Sequence, residues 1–163
     1  ILNKSILYIK EYGIDSLSVR NLAKCIGCST QPLFKFYNNM DEFRKDLNIY
    51  LKSYYESFIN KYIDKDNYLN TFIFGHIMYA KNESNLFKAT FLRDFDFNLN
   101  NNIQTIISIR MRYNIDHYKA DCLYRDICLY GHGLAIKICN NIVKLSNEDI
   151  YRLIDNMINI YVK

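Results

Sequence analysis

The segment from Ser29 to Tyr37 carries the side chains best suited to chemistry. Ser29, Thr30 and Gln31 have hydrogen-bond donors and acceptors, and Lys35 follows with a positive charge. A glutamine amide can bond adenine bidentately in the major groove of DNA. A serine that caps a helix leaves backbone N–H groups near its N-terminus to bind a phosphate. These residue types therefore predict contact with a nucleic acid.

Positive charge is concentrated around this segment. Between Ser16 and Met40 the chain has three basic residues, Arg20, Lys24 and Lys35, and no acidic residue. The whole chain of 163 residues carries a net charge of only +4. A local basic patch on a nearly balanced protein suits a phosphate-rich partner and excludes a general polycation.

Apolar periodicity and helix caps predict three short helices around these side chains. The first ends at Gly13, because glycine readily forms the left-handed turn that stops a helix. Ser18 caps a second helix, which ends at Gly27. Ser29 caps a third, with Pro32 in its first turn, where a missing N–H costs nothing. Two short helices joined by a glycine turn are typical of a helix-turn-helix, which presents its second helix to the major groove.

The rest of the chain predicts a larger helical body. A long helix begins at Asp41, and Ser146 with Asp149 forms a capping-box-like start for the last helix. After this long helix, further helices are expected at about 66–81, 84–97, 101–115, 119–143 and 147–162. We therefore expect an all-α fold of about nine helices, with a three-helix head at 1–40 and a helical body at 41–163.

Composition excludes several other classes of protein. The chain is 50% hydrophobic and 15% aromatic, so it can bury a core and is not a disordered chain. No apolar run approaches the ~20 residues that a membrane span needs, and Ile1 to Tyr12 is typical of an amphipathic helix rather than a signal peptide. The five cysteines are odd in number and form no dense framework, which predicts reduced thiols and a cytoplasmic protein.

Cysteine and histidine chemistry is the other possibility. Cys25 and Cys28 form a C-x-x-C motif, which suits a redox pair or half a zinc site. No second pair supplies the remaining zinc ligands, and a helix C-terminus opposes a thiolate at Cys25, so small residues around a turn are the favoured interpretation. His76, His117 and His132 are far apart in sequence and have no nucleophile or carboxylate at catalytic spacing. We expect no enzyme, no metal and no cofactor.

The run GIDSLSVRNLAKCIGCSTQPLFKFYNNMDEF resembles the DNA-binding head of the tetracycline-repressor family of transcriptional regulators. A second similarity is YGHGLA, at 130–135, which resembles a His-Gly-Leu-Ala run in the penultimate helix of many members. At two positions the chain departs from the family: Phe34 replaces a phosphate-binding tyrosine, and Met40 replaces a lysine. The residues that match the family pattern in register are Gly13, Ser18, Val19, Leu22, Ala23, Gly27, Ser29, Leu33 and Asn39.

The resemblance implies a ligand-responsive repressor that binds a pseudo-palindromic operator in double-stranded DNA as a homodimer. The DNA-binding residues would be Ser18, Arg20, Ser29, Thr30, Gln31, Phe34, Lys35 and Tyr37. An unknown small-molecule effector would occupy a pocket lined by Tyr54, Phe58, His76, Tyr79, Phe87, Phe91, Tyr113 and Tyr130. The last two helices would form the dimer interface through Leu134, Ile138, Ile150, Ile154, Met157 and Tyr161, with close helix approach at Gly131 and Gly133.

Two alternatives stay open at this point. The apolar stripes of the last two helices could face the core of their own subunit, as most amphipathic stripes do. The chain could also be a helical protein-interaction module with a vestigial DNA-binding head. The replacements at Phe34 and Met40 favour this second alternative, because both remove groups that bind phosphate.

Overall fold

The structure, a computed structural model, describes residues 1–27, 29, 35–92 and 103–163. Over these ranges all regular structure is helical, which confirms the all-α class. Single 3-10 turns lie at Ile14–Ser16 and Lys65–Asn67. The α-helices of the described residues are α1 (Leu2–Tyr12), α2 (Val19–Ile26), α3 (Met40–Ile59), α4 (Tyr68–Asn82), α5 (Ser84–Phe91), α6 (Ile103–Tyr113), α7 (His117–Cys139) and α8 (Asn147–Val162).

Several helix ends lie where the sequence predicts them. Ser18 accepts a hydrogen bond from the backbone N–H of Asn21 at 3.1 Å, and α2 ends at Gly27 with φ 78°. Ser146 caps α8 through the N–H of Asp149 at 3.0 Å, and its hydroxyl donates to the Asp149 carboxylate at 2.9 Å. These hydrogen bonds confirm both caps. Each cap could be predicted from sequence because it depends only on residues three apart.

Other boundaries differ from the prediction by a few residues. The long helix predicted to start at residue 119 starts at His117, since Asp116 caps it through the N–H of Lys119 at 2.8 Å. It ends at Cys139 instead of residue 143, and Asn141, just beyond its end, has a φ of 57°. An asparagine tolerates this left-handed conformation far better than most residues do, and a helix cannot continue through it.

The core is built around α4. Residues on every side of this helix are buried, including Ile73, Ile77 and Tyr79, because α4 packs against α3, α5, α7 and α8. A helix that is apolar all round is expected at the centre of a helical protein. The most extensive of these contacts is with α7, whose Ala120, Leu123 and Ile127 face the core.

The head is joined to the body through α1. Ile6 and Ile9 of α1 are buried in the same hydrophobic cluster as the body helices, and α1 packs against α5. The ammonium of Lys10 lies 2.6 Å from the Glu83 carboxylate, and the Asn85 amide donates to the Lys10 carbonyl at 2.9 Å. The domain boundary predicted near residue 40 therefore does not separate two hydrophobic cores.

Gly131 and Gly133 of α7 have different surroundings, although both were expected at a dimer contact. A Cβ on Gly131 would lie 2.6 Å from Cγ2 of Ile73 on α4, within the subunit's own core. A Cβ on Gly133 would meet no atom within 4 Å. Gly131 therefore permits the close crossing of α4 and α7, whereas Gly133 takes no part in this crossing.

We expect Gly131→Ala to lower the free energy of unfolding by about 1–3 kcal/mol, the usual cost of overpacking a core. Ile73 is β-branched, so its Cγ2 cannot easily turn away. Gly133→Ala, two residues along the same helix, should raise the free energy of unfolding by about 0.5–1 kcal/mol, since alanine is the better helix former. Urea titrations followed by circular dichroism would compare the two. Equal effects at the two positions would contradict the packing assigned to Gly131.

Candidate functional site

The described part of the head presents a basic surface on α2. Leu22 and Ala23 are buried in the core, so the opposite side of the helix is exposed to solvent. That side carries Arg20 and Lys24, and Ser18 is exposed at the capped N-terminus. α2 thus has one side for packing and one side free to meet a partner.

The predicted DNA-binding residues fall into three groups. Ser18, Arg20, Ser29 and Lys35 are exposed, as a contact with DNA requires. Tyr37 is half-buried, with its ring 5.2 Å from that of Phe43 in an edge-to-face contact. The remaining three, Thr30, Gln31 and Phe34, lie outside the described residues.

The start of α3 places two carboxylates near Tyr37. Burial raises the pKa of Tyr37, and the carboxylates of Asp46 and Glu42 raise it further. Asn39 caps α3 through the N–H of Glu42 at 2.9 Å, and the Glu42 carboxylate accepts from the N–H of Asn38 at 2.8 Å. The N-x-x-E spacing resembles a capping box, but the Glu42 carboxylate accepts from Asn38, the residue before the cap. The half-buried ring of Tyr37, in contact with Phe43, favours a packing role over contact with DNA.

Five of the eight predicted pocket residues come together in the body. Together with Tyr55 and His132, these residues, Phe58, His76, Tyr79, Phe87 and Phe91, form what we call the aromatic cluster. The ring centroids lie 4.9 Å apart for Tyr55 and Phe91, and 5.1 Å apart for Phe87 and Phe91. Tyr79 and Phe87 are completely buried. These are contact distances between packed rings, so an effector could reach Tyr79 or Phe87 only if the rings separated.

The other three predicted pocket residues lie at the edge of the aromatic cluster or away from it. Tyr54 is 6.5 Å from Tyr79 between ring centroids, and its hydroxyl donates to Glu83 at 3.4 Å. The hydroxyl of Tyr113 donates to the Asn70 amide oxygen at 3.3 Å, near the opposite end of α4. Tyr130 is half-buried and packs on the outside of the core. The placement of Tyr113 and Tyr130 does not support their assignment to the same pocket.

A chain of hydrogen bonds crosses the aromatic cluster. The Tyr55 hydroxyl lies 2.9 Å from Nδ1 of His76, and Nε2 of His76 lies 3.1 Å from Nδ1 of His132. The chain links α3, α4 and α7. A neutral imidazole has one donor and one acceptor, so it can serve Tyr55 and His132 together without rearrangement.

The surroundings keep this chain uncharged. Burial, reinforced by the neighbouring His132, lowers the pKa of His76 to about 3, and burial also lowers the pKa of His132. Cys128 lies one turn before His132 on α7, and burial raises its thiol pKa to about 12. A thiol with such a pKa is not a nucleophile near neutral pH. The arrangement can therefore exchange hydrogen bonds with a neutral polar group.

The sequence analysis did not predict a contact between the two histidines of this hydrogen-bond chain. His76 and His132 are far apart along the chain, and they meet because α4 and α7 pack closely beside Gly131. The one signal in the sequence was that His132 directly follows the glycine of that crossing. Helical spacing places Tyr55 on the buried side of α3 with Leu51 and Phe58, but it does not predict the contact with His76.

The predicted dimer interface needs correction at three positions. Ile150 and Ile154 have no exposed surface, and Ile138 is 8% exposed, all within the core of a single chain. A residue can contribute to an interface only if it presents surface on the separate subunit. Half-buried side chains remain at the other three positions, Leu134, Met157 and Tyr161, and the Tyr161 hydroxyl donates to Asp126.

The described cysteines are unbonded, with Cys25 exposed and Cys122, Cys128 and Cys139 buried. Cys28 lies outside the described residues. Among the residues that the structure covers, no group of three or more His, Cys, Asp or Glu side chains could hold a metal ion. None of the described helices combines the length and apolar character that a bilayer span requires. In comparisons with known proteins, no family model and no curated protein matches the chain.

Proposed function

We propose that this protein is a cytoplasmic transcriptional regulator that binds double-stranded DNA as a homodimer and represses transcription until a small molecule binds. The observation that carries the proposal is the geometry of α2. The helix starts at a serine cap, ends at a glycine with positive φ, and buries Leu22 and Ala23 while exposing Arg20 and Lys24. This is the form that the first helix of a helix-turn-helix needs.

The charge of the head supports the same proposal. No acidic residue lies between Ser16 and Met40, and the described basic residues of this stretch are all exposed. Exposed basic groups that surround the predicted recognition segment, Ser29 to Tyr37, would bind phosphates and orient that segment. Gln31 would then read a base edge.

The attachment of α1 to the body supports a response to ligand. Because α1 packs on α5 and shares one core with α4, a shift of the body helices would be transmitted to the head. In a dimer, such a shift would change the separation of the two heads. It would thereby weaken their fit to half-sites about one helical turn apart.

A protein-interaction module is the second candidate, and two observations favour it. Phe36 is 70% exposed, a large apolar side chain within the predicted recognition segment. Asp41 and Glu42 directly follow Met40, the position where the resembled family has a lysine. Both features suit a protein partner better than a phosphate backbone.

DNA binding should depend on the head's basic residues and on salt. In fluorescence anisotropy with duplex DNA, the variant Arg20→Ala/Lys24→Ala/Lys35→Ala should bind at least about tenfold more weakly than wild type. The slope of log affinity against log salt should fall by about 0.9 for each phosphate that the variant no longer neutralises, because fewer counterions are released on binding. The matched control replaces three exposed lysines of the body, Lys65, Lys119 and Lys144.

The control separates a docked head from non-specific attraction. It changes the net charge by the same amount, so a long-range effect of charge alone would weaken DNA binding equally in both variants. Equal weakening, or a wild-type protein that binds no duplex even at low salt, would overturn the regulator proposal and favour the protein-interaction module. We expect both variants to fold like the wild type, since all the substituted side chains are exposed.

A further inference from the structure

The outer side of α6 is apolar, although it faces solvent. Ile103, Ile107 and Met111 lie one helical turn apart, and their exposed fractions are 64%, 38% and 78%. We call these three side chains the α6 stripe. The inner side of the helix is buried through Ile106 and Ile109. A surface helix normally has polar side chains on its outer side, so the α6 stripe is a second apolar side that the fold leaves exposed to solvent.

The packing of α6 presents this stripe on a fixed support. Among the described helices, α6 packs chiefly against α7, and the Tyr113 hydroxyl at its end donates to Asn70 of α4 at 3.3 Å. An open groove runs beside the stripe, between the end of α6 and the start of α7. The groove is lined by Ile107, Arg110, Met111, Asn114, Ile115 and Asp116. A partner would therefore meet a preformed helix, which lowers the entropic cost of binding.

The α6 stripe differs from the scattered exposed apolar residues of an ordinary surface. Single residues of that kind need no explanation, whereas a contiguous apolar surface is typical of an interaction site. Met111 is the most exposed large apolar side chain among the described residues. A methionine side chain is flexible and polarisable, so it can adapt to the shape of a partner.

The charge beside the stripe is positive. Arg110 and Arg112 flank Met111 on opposite sides of the helix; both are exposed, and α6 has no acidic residue. Neither guanidinium forms an ion pair with a described residue. The acidic residue of the groove, Asp116, accepts the N–H of Lys119 at 2.8 Å as the cap of α7, where the helix dipole offsets part of its charge. The exposed ammonium of Lys119 adds a further positive charge nearby.

We propose that the outer side of α6 docks an acidic amphipathic helix of a protein partner. The apolar side of that helix packs on the α6 stripe, as amphipathic helices do when they bind through residues at helical spacing. Its carboxylates pair with Arg110 and Arg112, because a guanidinium binds a carboxylate through two parallel hydrogen bonds. A second copy of α6 would instead bring like charges together, which disfavours self-association through this side.

This docking surface is independent of the proposed DNA binding. It belongs to the body, whereas the exposed Phe36 and the basic residues of the predicted DNA surface belong to the head. Docking on α6 requires neither DNA nor an effector. Failure of either proposal would therefore leave the other standing.

Two designed peptides test the surface on the full chain. One forms an amphipathic helix with leucines along one side and glutamates on both flanks, and the other has lysine at every glutamate. In fluorescence anisotropy the glutamate peptide should bind saturably, and the lysine peptide should bind at least about tenfold more weakly. Neither saturable binding nor a preference between the peptides is expected if the exposed stripe has no such role, and either absence would overturn the proposal. Sedimentation with phosphatidylglycerol vesicles provides the other arm: capture of the chain by vesicles without binding of the glutamate peptide would assign α6 to a membrane surface instead.

Substitution within the stripe locates the peptide. Met111→Glu places a carboxylate in the apolar surface and should weaken binding of the glutamate peptide at least about tenfold. Ile142→Glu, at an exposed apolar residue outside α6, is the matched control and should bind like the wild type. Undiminished binding in Met111→Glu, or equal weakening in Ile142→Glu, would place the peptide elsewhere and overturn the proposal. Light scattering adds a further check, because a wild-type dimer that Met111→Glu dissociates would mean that a second copy covers α6.

Charge reversal tests the role of the arginines. Arg110→Glu should reduce the preference for the glutamate peptide over the lysine peptide by about tenfold, since one attractive contact becomes repulsive. Lys144→Glu makes a similar change of charge at an exposed position outside α6 and should keep the wild-type preference. Both side chains are exposed, so we expect both variants to fold, and circular dichroism would verify it. An unchanged preference in Arg110→Glu, or the same reduction in Lys144→Glu, would contradict recognition of carboxylates at α6.

Discussion

Ile154→Asp is expected to unfold the chain, whereas Met157→Asp should leave it folded and split the proposed dimer. Ile154 has no exposed surface, and the new carboxylate would lie among apolar side chains such as Ile150 and Ile158. An unpaired charge in a core costs several kcal/mol, a large part of the about 5–15 kcal/mol that stabilises a typical domain. Met157 is half-buried, so a carboxylate there can stay hydrated. Circular dichroism and light scattering would measure the two effects.

The control for this pair is Asn156→Asp, which places the same carboxylate at an exposed position between them. It should change neither the helix content nor the oligomeric state. A folded, monomeric Ile154→Asp protein would mean that Ile154 faces the partner subunit, against its burial within one chain. A wild type that scatters light as a monomer would remove dimerisation from the proposed function.

The contrast between Ile154 and Met157 shows what helical periodicity can predict. The spacing of Ile150, Ile154, Met157 and Tyr161 correctly identifies an apolar stripe on α8. It does not say which neighbour covers that stripe. In the structure the first two lie against the subunit's own core, while the last two lie at its margin. That difference arises from the packing of helices remote in sequence, which no local pattern encodes.

The helix ends, in contrast, were predicted well because they depend on local interactions. The caps at Ser18 and Ser146 and the stop at Gly27 each involve backbone groups within a few residues, so the sequence contains the whole interaction. The site residues are harder to predict. The aromatic cluster was anticipated in part because large rings are buried in any helical core. Its histidine pair was missed because a contact between His76 and His132 depends on the crossing of α4 and α7.

The recognition segment remains a prediction. Gln31 was chosen from its position in a motif, and it lies outside the described residues. The described neighbours on both sides are compatible with the motif, since α2 ends at Gly27 and α3 is capped by Asn39. They bound the segment without fixing which of its side chains would meet a base.

Stability should fall as the pH drops below about 6.5, chiefly because of His76. Burial and the adjacent His132 lower the folded-state pKa of His76 to about 3, whereas in the unfolded chain it has its ordinary value of 6.5. Between these values the unfolded chain takes up a proton that the folded chain does not. The stabilisation from a neutral His76 is therefore complete above pH 6.5 and is lost as the pH falls towards 3. The slope approaches about 1.4 kcal/mol per pH unit, and the lowered pKa of His132 acts in the same direction.

His76→Gln isolates this contribution. Glutamine retains a hydrogen-bonding amide but has no titrating group, so the variant should be less stable at pH 7 and yet lose stability less steeply between pH 6 and 5. Over this interval few carboxylates titrate, and the slopes should differ by roughly 1 kcal/mol per pH unit. His117→Gln, the same substitution at an exposed histidine of α7, is the matched control. Urea midpoints across this range give the comparison. Identical slopes for wild type and His76→Gln would mean that the folded protein can protonate His76, and hence that the Tyr55–His76–His132 chain opens to water far more readily than its burial implies.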